Sequence, residues 1–151
     1  MKRIILLPLI SLALLTSCTS NAKLSLGKYY LVQTSFYSEK TIAVLKENTV
    51  YKAEDLRSNG IHSFALCSID KNAISISGLD TIDSDTRQIS SPSYIITYET
   101  VSDNIISIGN KNVIGQFKEG LIYFDSNAVS CGGVYVTEAY AKSHNYNIVK
   151  L

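Results

Sequence analysis

From residue 28 onward the chain consists of short apolar runs broken by compact polar clusters, and within the runs neighbouring positions often alternate in character. Ile74-Ser75-Ile76 and Val134-Tyr135-Val136 show this most clearly, each with one aliphatic face. A two-residue alternation marks a strand that buries one face. The runs are rich in Ile, Val, Tyr, Phe and Thr, side chains that suit a pleated, half-buried surface. They predict strands over 29–37, 41–45, 49–52, 62–69, 73–77, 94–101, 105–108, 113–117, 121–124 and 133–137. Between several of them stand turns of one kind: Lys46-Glu47-Asn48, Asp70-Lys71-Asn72, Ser102-Asp103-Asn104, Asn110-Lys111-Asn112 and Lys118-Glu119-Gly120. Asn and Gly tolerate the left-handed backbone angles that tight hairpins require. Loops this short force antiparallel neighbours, so residues 94–124 should form a four-strand meander. The strands share no side-chain pattern beyond alternation, so the recurring turns reflect similar hairpins and not a sequence repeat.

Many short strands at this spacing define an all-β chain, either a small antiparallel β-barrel or a β-sandwich with a hairpin meander. Closure into a barrel would remove exposed strand edges. Helical periodicity is nearly absent, and at most one or two short helical turns are expected. Residues 53–60 suit one turn stopped by Gly60, and 78–93 read as a polar loop. Residues 137–143 fit either a short helix capped by Thr137 or an edge strand.

The first eighteen residues follow a different plan. Lys2 and Arg3 precede an uncharged apolar stretch over 4–15, the layout of a secretory signal peptide. That stretch is shorter than the roughly 20 residues a membrane-spanning helix needs. Leu15-Thr16-Ser17-Cys18 resembles the bacterial lipobox, an aliphatic residue and two small residues before a cysteine. The resemblance implies lipidation of the Cys18 thiol, cleavage before it, and anchoring of the new N-terminus by two or more acyl chains. The implied organisation is a cleaved signal peptide over 1–17, a lipidated cysteine and short tether over 18–27, and a single β domain over 28–151. In Gram-negative lipoproteins an aspartate directly after the cysteine favours the inner membrane. Thr19 stands there, so the resemblance implies the outer membrane, facing the periplasm.

Without the leader 134 of the 151 residues remain, enough for one domain with a substantial core. They carry 12 basic against 13 acidic residues, and the basic ones are scattered singly. Nucleic-acid binding needs clustered Lys and Arg, so no nucleic-acid partner is expected. Cys67 and Cys131 are the two cysteines left after the anchor, and beyond the inner membrane an even pair predicts a disulfide. It would close a loop of about 65 residues and contribute on the order of 4 kcal/mol by restricting the unfolded chain. Cys131, in the flexible Ser130-Cys131-Gly132-Gly133, has no base placed for it as a nucleophile.

Nothing in the sequence specifies a reaction, a metal or a cofactor. Asp80, Asp83 and Asp85 gather within six residues but lack the glycine and distal glutamate of a helix-flanked calcium loop. His62 and His144 have no second ligand at zinc spacing. There is no Gly-x-Ser-x-Gly elbow and no phosphate or dinucleotide loop. No catalytic residue is assigned. Tyrosine is the one unusual count, ten with four phenylalanines and no tryptophan. Tyrosine is enriched at protein interfaces, and Tyr94 and Tyr98, on one face of a strand, form the candidate interaction surface. The expectation is a lipid-anchored, non-enzymatic interaction or inhibitor module whose partner is an envelope or secreted protein. Its general form resembles the small disulfide-bonded β-barrel lipoproteins that inhibit lysozyme, without their Ser-Gly-x-x-Tyr loop. The alternative is a carrier of small hydrophobic ligands: Gly27-Lys28-Tyr29 is similar to the Gly-x-Trp that opens lipocalins, with tyrosine in place of tryptophan.

Overall fold

The structure is a computed structural model and describes residues 23–35, 38–90, 92 and 94–151. Cys18 and the whole leader lie outside the described residues. Along the chain run β1 (Gly27–Leu31), β2 (Gln33–Thr34), β3 (Lys40–Val44), β4 (Val50–Lys52), α1 (Ala53–Ser58), β5 (Ala65–Ile69), β6 (Ala73–Thr81) and β7 (Thr86–Ile89). They are followed by β8 (Tyr94–Val101), β9 (Asn104–Ser107), β10 (Val113–Lys118), β11 (Leu121–Phe124), β12 (Gly133–Val136), α2 (Glu138–Ser143) and β13 (Asn147–Lys150).

Eight strands close into an antiparallel barrel. Each barrel strand pairs with the next one along the chain, in the order β1, β5, β6, β8, β9, β10, β11, β12, and β12 returns to β1. The meander expected over 94–124 is β8 to β11. The barrel settles the choice between barrel and sandwich. Its turns use the residues the sequence offers: Ser102, Lys111 and Gly120 all have positive φ, as has Asn48 in the β3–β4 turn outside the barrel. In the β5–β6 turn the Asp70 carboxylate accepts from the amides of Asn72 (2.8 Å) and Ala73 (2.7 Å). These bonds to the ionised form hold the Asp70 carboxyl below its ordinary range.

Alternation fixes which face turns inward. Tyr29, Cys67, Ile74, Ile76, Ile105 and Ile122 point into the barrel, with Phe124 and Tyr135 among them, and all of these are almost completely shielded from water. Phe124 and Tyr135 meet edge to face with centroids 5.5 Å apart, a geometry worth about 0.5–1.5 kcal/mol beyond burial. Val129, in the β11–β12 connection, closes one end, and Leu24, just before β1, belongs to the same core at the other. Outward positions carry Lys28, Ser68, Ser75, Thr97, Glu99 and Gln116. Ile95, Val113 and Tyr123 are exposed on the same outer surface. At β10 the register shifts between Val113 and Gly115. A side chain at Gly115 would collide with the Tyr123 carbonyl, so glycine is required there by close approach of two strands.

A second layer covers one side of the barrel. β3 pairs antiparallel with β2 and parallel with β13, the last strand of the chain. Ile42 and Ile148 face the barrel against Tyr30, Leu66 and Val136, while Ala43, Leu45 and Val149 face the opposite way onto Tyr51, Leu56 and Ile61. β3 is therefore buried on both faces, which accounts for its unbroken apolar run. The expected helical turn is α1, ended by Gly60 at φ +75° with Ile61 N–H donating to Leu56 O (2.9 Å). Thr137 caps α2 by accepting from the Tyr140 amide (3.1 Å), so the C-terminal segment is helical.

Four expectations are corrected. The predicted loop over 78–93 contains the end of β6 and all of β7, and β7 bridges β6 to β4. Its turn is organised by Asp83, whose carboxylate accepts from the amides of Asp85 (2.8 Å) and Thr86 (2.9 Å). The strand expected over 29–37 divides into β1 in the barrel and β2 in the side layer. β13 was not foreseen. Cys67 and Cys131 are free thiols and form no disulfide. Cys67 points into the filled barrel from β5, whereas Cys131 lies on the connection that packs over its end.

Candidate functional site

The tyrosines are the first sequence-predicted residues to locate. Tyr94 and Tyr98 do share one face of β8, but that face turns into the barrel, where both rings pack on its core. They do not form an outer patch; the outward positions beside them are Ile95, Thr97 and Glu99. The Tyr98 hydroxyl donates to Asp70 O (2.6 Å), Tyr29 to Ser25 O (2.8 Å) and Tyr135 to Cys131 O (2.6 Å). Three inward tyrosines thus span from the core to a main-chain carbonyl at a barrel end. Burial raises all three hydroxyl pKa values above the ordinary tyrosine value, Tyr135 most strongly. Burial also pushes the Cys67 thiol up to about 12, the opposite of what a nucleophilic thiolate requires.

With the interior filled, space is found outside the barrel, where the second layer meets it. A cleft of about 620 Å³ lies over the outer face of β5 and β6. Ser68, Ser75 and Ser77 line it from the barrel side. Ser68 is the register partner of Ser75, and Ser77 is the partner of Leu66. The serines occupy outward positions because Cys67, Ile74 and Ile76 occupy the inward ones. Gln88, Ser90 and Pro92 form one wall, and Glu47 and Asn48 of the β3–β4 turn form another.

The cleft owes its existence to β6. Residues 73–76 pair with β8, whereas 79–81 pair with β7, so the strand changes partner near Gly78 and the sheet divides there. Ser90 fastens this division: its hydroxyl accepts from Gly78 N–H (3.2 Å) and donates to Gly78 O (3.1 Å), and its own amide donates to the same carbonyl (2.9 Å). Glu47 is held at the rim by Lys28 (3.2 Å), an exposed pair worth little to stability.

Chemically the cleft offers hydroxyls, two primary amides, Asn48 and Gln88, and two carboxylates, Glu47 and Asp80. Among the described residues that line it there is no imidazole, thiol or aromatic ring. Among the described residues no serine hydroxyl of the cleft is hydrogen-bonded to a general base, and no group of three potential metal ligands occurs. The arrangement can form hydrogen bonds along two adjacent strands; it does not assemble a nucleophile, base and oxyanion site. Sequence reasoning missed these serines. Alternation placed them on a polar face, but only β7, read as loop, turns that face into a wall of a cleft.

The fold and cleft together define a closed up-and-down β-barrel with a lateral layer and an external, hydroxyl-lined groove. No protein-family model matches the chain, and no curated protein or solved structure matches it.

Proposed function

We propose that the protein is a non-enzymatic interaction module of the bacterial cell envelope, anchored by lipid at Cys18, that docks a segment of another envelope or secreted protein in the groove over β5 and β6. The observation that carries this reading is the contrast between a barrel interior packed with side chains and a groove outside it lined by Ser68, Ser75, Ser77 and Gln88. Hydroxyls and an amide spaced along two strands match the alternating N–H and C=O groups of an extended polypeptide. No aromatic ring is present to stack on a sugar face, which favours a polypeptide over a glycan. A carrier of the lipocalin kind would hold its ligand inside the barrel, where Tyr29, Phe124, Tyr135 and six isoleucines already meet.

The leader supports the outer membrane as the address, by the lipobox resemblance and Thr19. With its tether of about ten residues, the anchor would keep the domain near the lipid surface. Formaldehyde crosslinking in the native cells tests the docking proposal. The wild-type chain is expected to give one recurrent protein adduct, and Ser75→Trp, which fills the groove from an outward strand position, is expected to abolish it while circular dichroism is unchanged. An adduct of undiminished yield from the folded Ser75→Trp variant would overturn the assignment of the groove. Cys18→Ser is expected to move the protein from the membrane fraction to the soluble one.

A further inference from the structure

Residues 23–151 contain two arginines, Arg57 on α1 and Arg87 on β7, and both line a single cavity of about 410 Å³ together with His62. These positions are distant in sequence, and the fold brings them together. No acidic residue lines the cavity. Below the cationic groups lie Leu56, Ile61, Phe64 and Leu79, which belong to the core beneath α1. The volume falls within the range of small-molecule sites.

The state of the two guanidinium groups gives the cavity its chemistry. Arg87 is half-buried, and its Nη1 donates to Asp83 O (2.8 Å) and Thr86 O (2.9 Å). Those two bonds use both hydrogens of Nη1 and fix the plane of the group. Nε and Nη2 remain as donors, and their paired edge matches the two oxygens of a carboxylate or phosphate. The nearby Asp83 carboxylate is engaged with the amides of Asp85 and Thr86 and makes no ion pair with Arg87. Arg57 is exposed and has no ion pair among the described residues. A structural arginine pair would be expected to meet carboxylates of its own chain. Here two cations and a histidine line one cavity together with apolar side chains, and no anion is among its described lining residues.

We propose that this cavity binds an amphipathic anion, a carboxylate or phosphate head on a short apolar body, with the head on Arg57 and Arg87 and the body on Leu56, Ile61, Phe64 and Leu79. The site is separate from the groove over β5 and β6, and its existence does not depend on that groove having a partner. A simple inorganic anion would leave the apolar floor unused, and an uncharged apolar molecule would leave Arg57 and the free Nε/Nη2 edge of Arg87 without an acceptor.

The test uses the Cys18→Ser chain, which keeps every described residue and has no acyl group to compete. The arginine Nε–H signals are followed by NMR while decanoate, decyl phosphate, decanol and inorganic phosphate are added separately. Arg57→Gln assigns one signal, and the remaining one belongs to Arg87. Saturable shifts of the Arg57 and Arg87 signals by decanoate or by decyl phosphate are expected, and whichever binds more tightly identifies the head group. Decanol and inorganic phosphate are expected to bind at least tenfold more weakly. Arg57→Gln should weaken the preferred ligand about tenfold without moving the melting temperature, because Arg57 is exposed and unpaired. Equal binding of decanol, saturation by inorganic phosphate alone at similar concentrations, or no saturable shift with either amphiphile would overturn the proposal.

Discussion

The barrel and the layer beside it are built from the same kinds of residue but by opposite rules. In the barrel every strand bonds to the next barrel strand along the chain, and the inward side chains form one buried core. In the layer β3 pairs in parallel with β13, so that Thr41 lies opposite Asn147, more than a hundred residues away, and the strands carry a core on each face. The barrel has the larger continuous core, whereas both the hydroxyl-lined cleft and the arginine cavity form outside it, where β7 stands beside β6 and takes part in each lining. Closure leaves a small barrel little room for a ligand; the strand added beside β6 and the helix next to it leave clefts outside. The difference separates the closed part of the fold from the part in which clefts form.

The largest effect is expected from overcrowding the barrel. Gly115→Val places side-chain atoms against the Tyr123 carbonyl and the Phe124 ring at the β10 irregularity. It should cost about 3 kcal/mol or more, read from the midpoint of urea unfolding. A smaller loss would mean that β10 and β11 can separate, and the barrel would not be the rigid half of the comparison.

Next come truncations in the two cores. Ile122→Ala in the barrel and Leu56→Ala under α1 each remove a fully packed side chain, at about 2–5 kcal/mol. The barrel variant should lower the global unfolding midpoint. The α1 variant should mainly raise hydrogen exchange in α1, β4 and β13, with β9 to β11 still protected. If Leu56→Ala lowers protection in β9 to β11 as much as Ile122→Ala does, the two regions unfold as one unit.

Alkaline pH sharpens the comparison from another direction. Burial raises Cys67, Tyr29, Tyr98 and Tyr135, so each stays neutral in the folded barrel at a pH where it ionises in the unfolded chain. The unfolded state then holds fewer protons, and stability falls as pH rises. For Cys67 the loss starts near its ordinary value of 9.0 and is complete above about 12; for the tyrosines it starts near 10.0. Melting temperatures measured from pH 8 to 11 should fall across this window, and Cys67→Ala should shallow the slope.

The smallest effect concerns the thiols. Cys131 is half-exposed and Cys67 is fully shielded. In the native Cys18→Ser chain a thiol reagent should label Cys131, with Cys67 reacting only after unfolding, and a reductant should leave the melting temperature unchanged. A reductant-dependent drop would show that the two are bonded in the folded protein.

The barrel was largely legible because its information is local. Hairpin turns such as Asn110-Lys111-Asn112 and alternation such as Ile74-Ser75-Ile76 state both pairing and facing within a few residues. The layer was not, since its defining contact is between β3 and β13, and nothing in Asn147-Ile148-Val149-Lys150 names Thr41 as a neighbour. The same reason hid β7, whose Thr86-Arg87-Gln88-Ile89 looks like loop until β4 and β6 flank it. Tyr94 and Tyr98 were correctly put on one face, but which face was inward depends on closure with β6 and β9. The sites share that difficulty: Ser75 with Gln88, and Arg57 with Arg87, are joined by tertiary structure alone.

The most direct measurement places a photo-activated probe at Gln88, in the wall of the groove, or at Thr97, on the uncovered face of the barrel, and compares the two in the native cells. The account predicts a recurrent protein adduct at Gln88 and none at Thr97. A recurrent adduct at Thr97 alone, or equal yields of the same adduct at both positions, would contradict the proposal that the groove over β5 and β6 is the docking site.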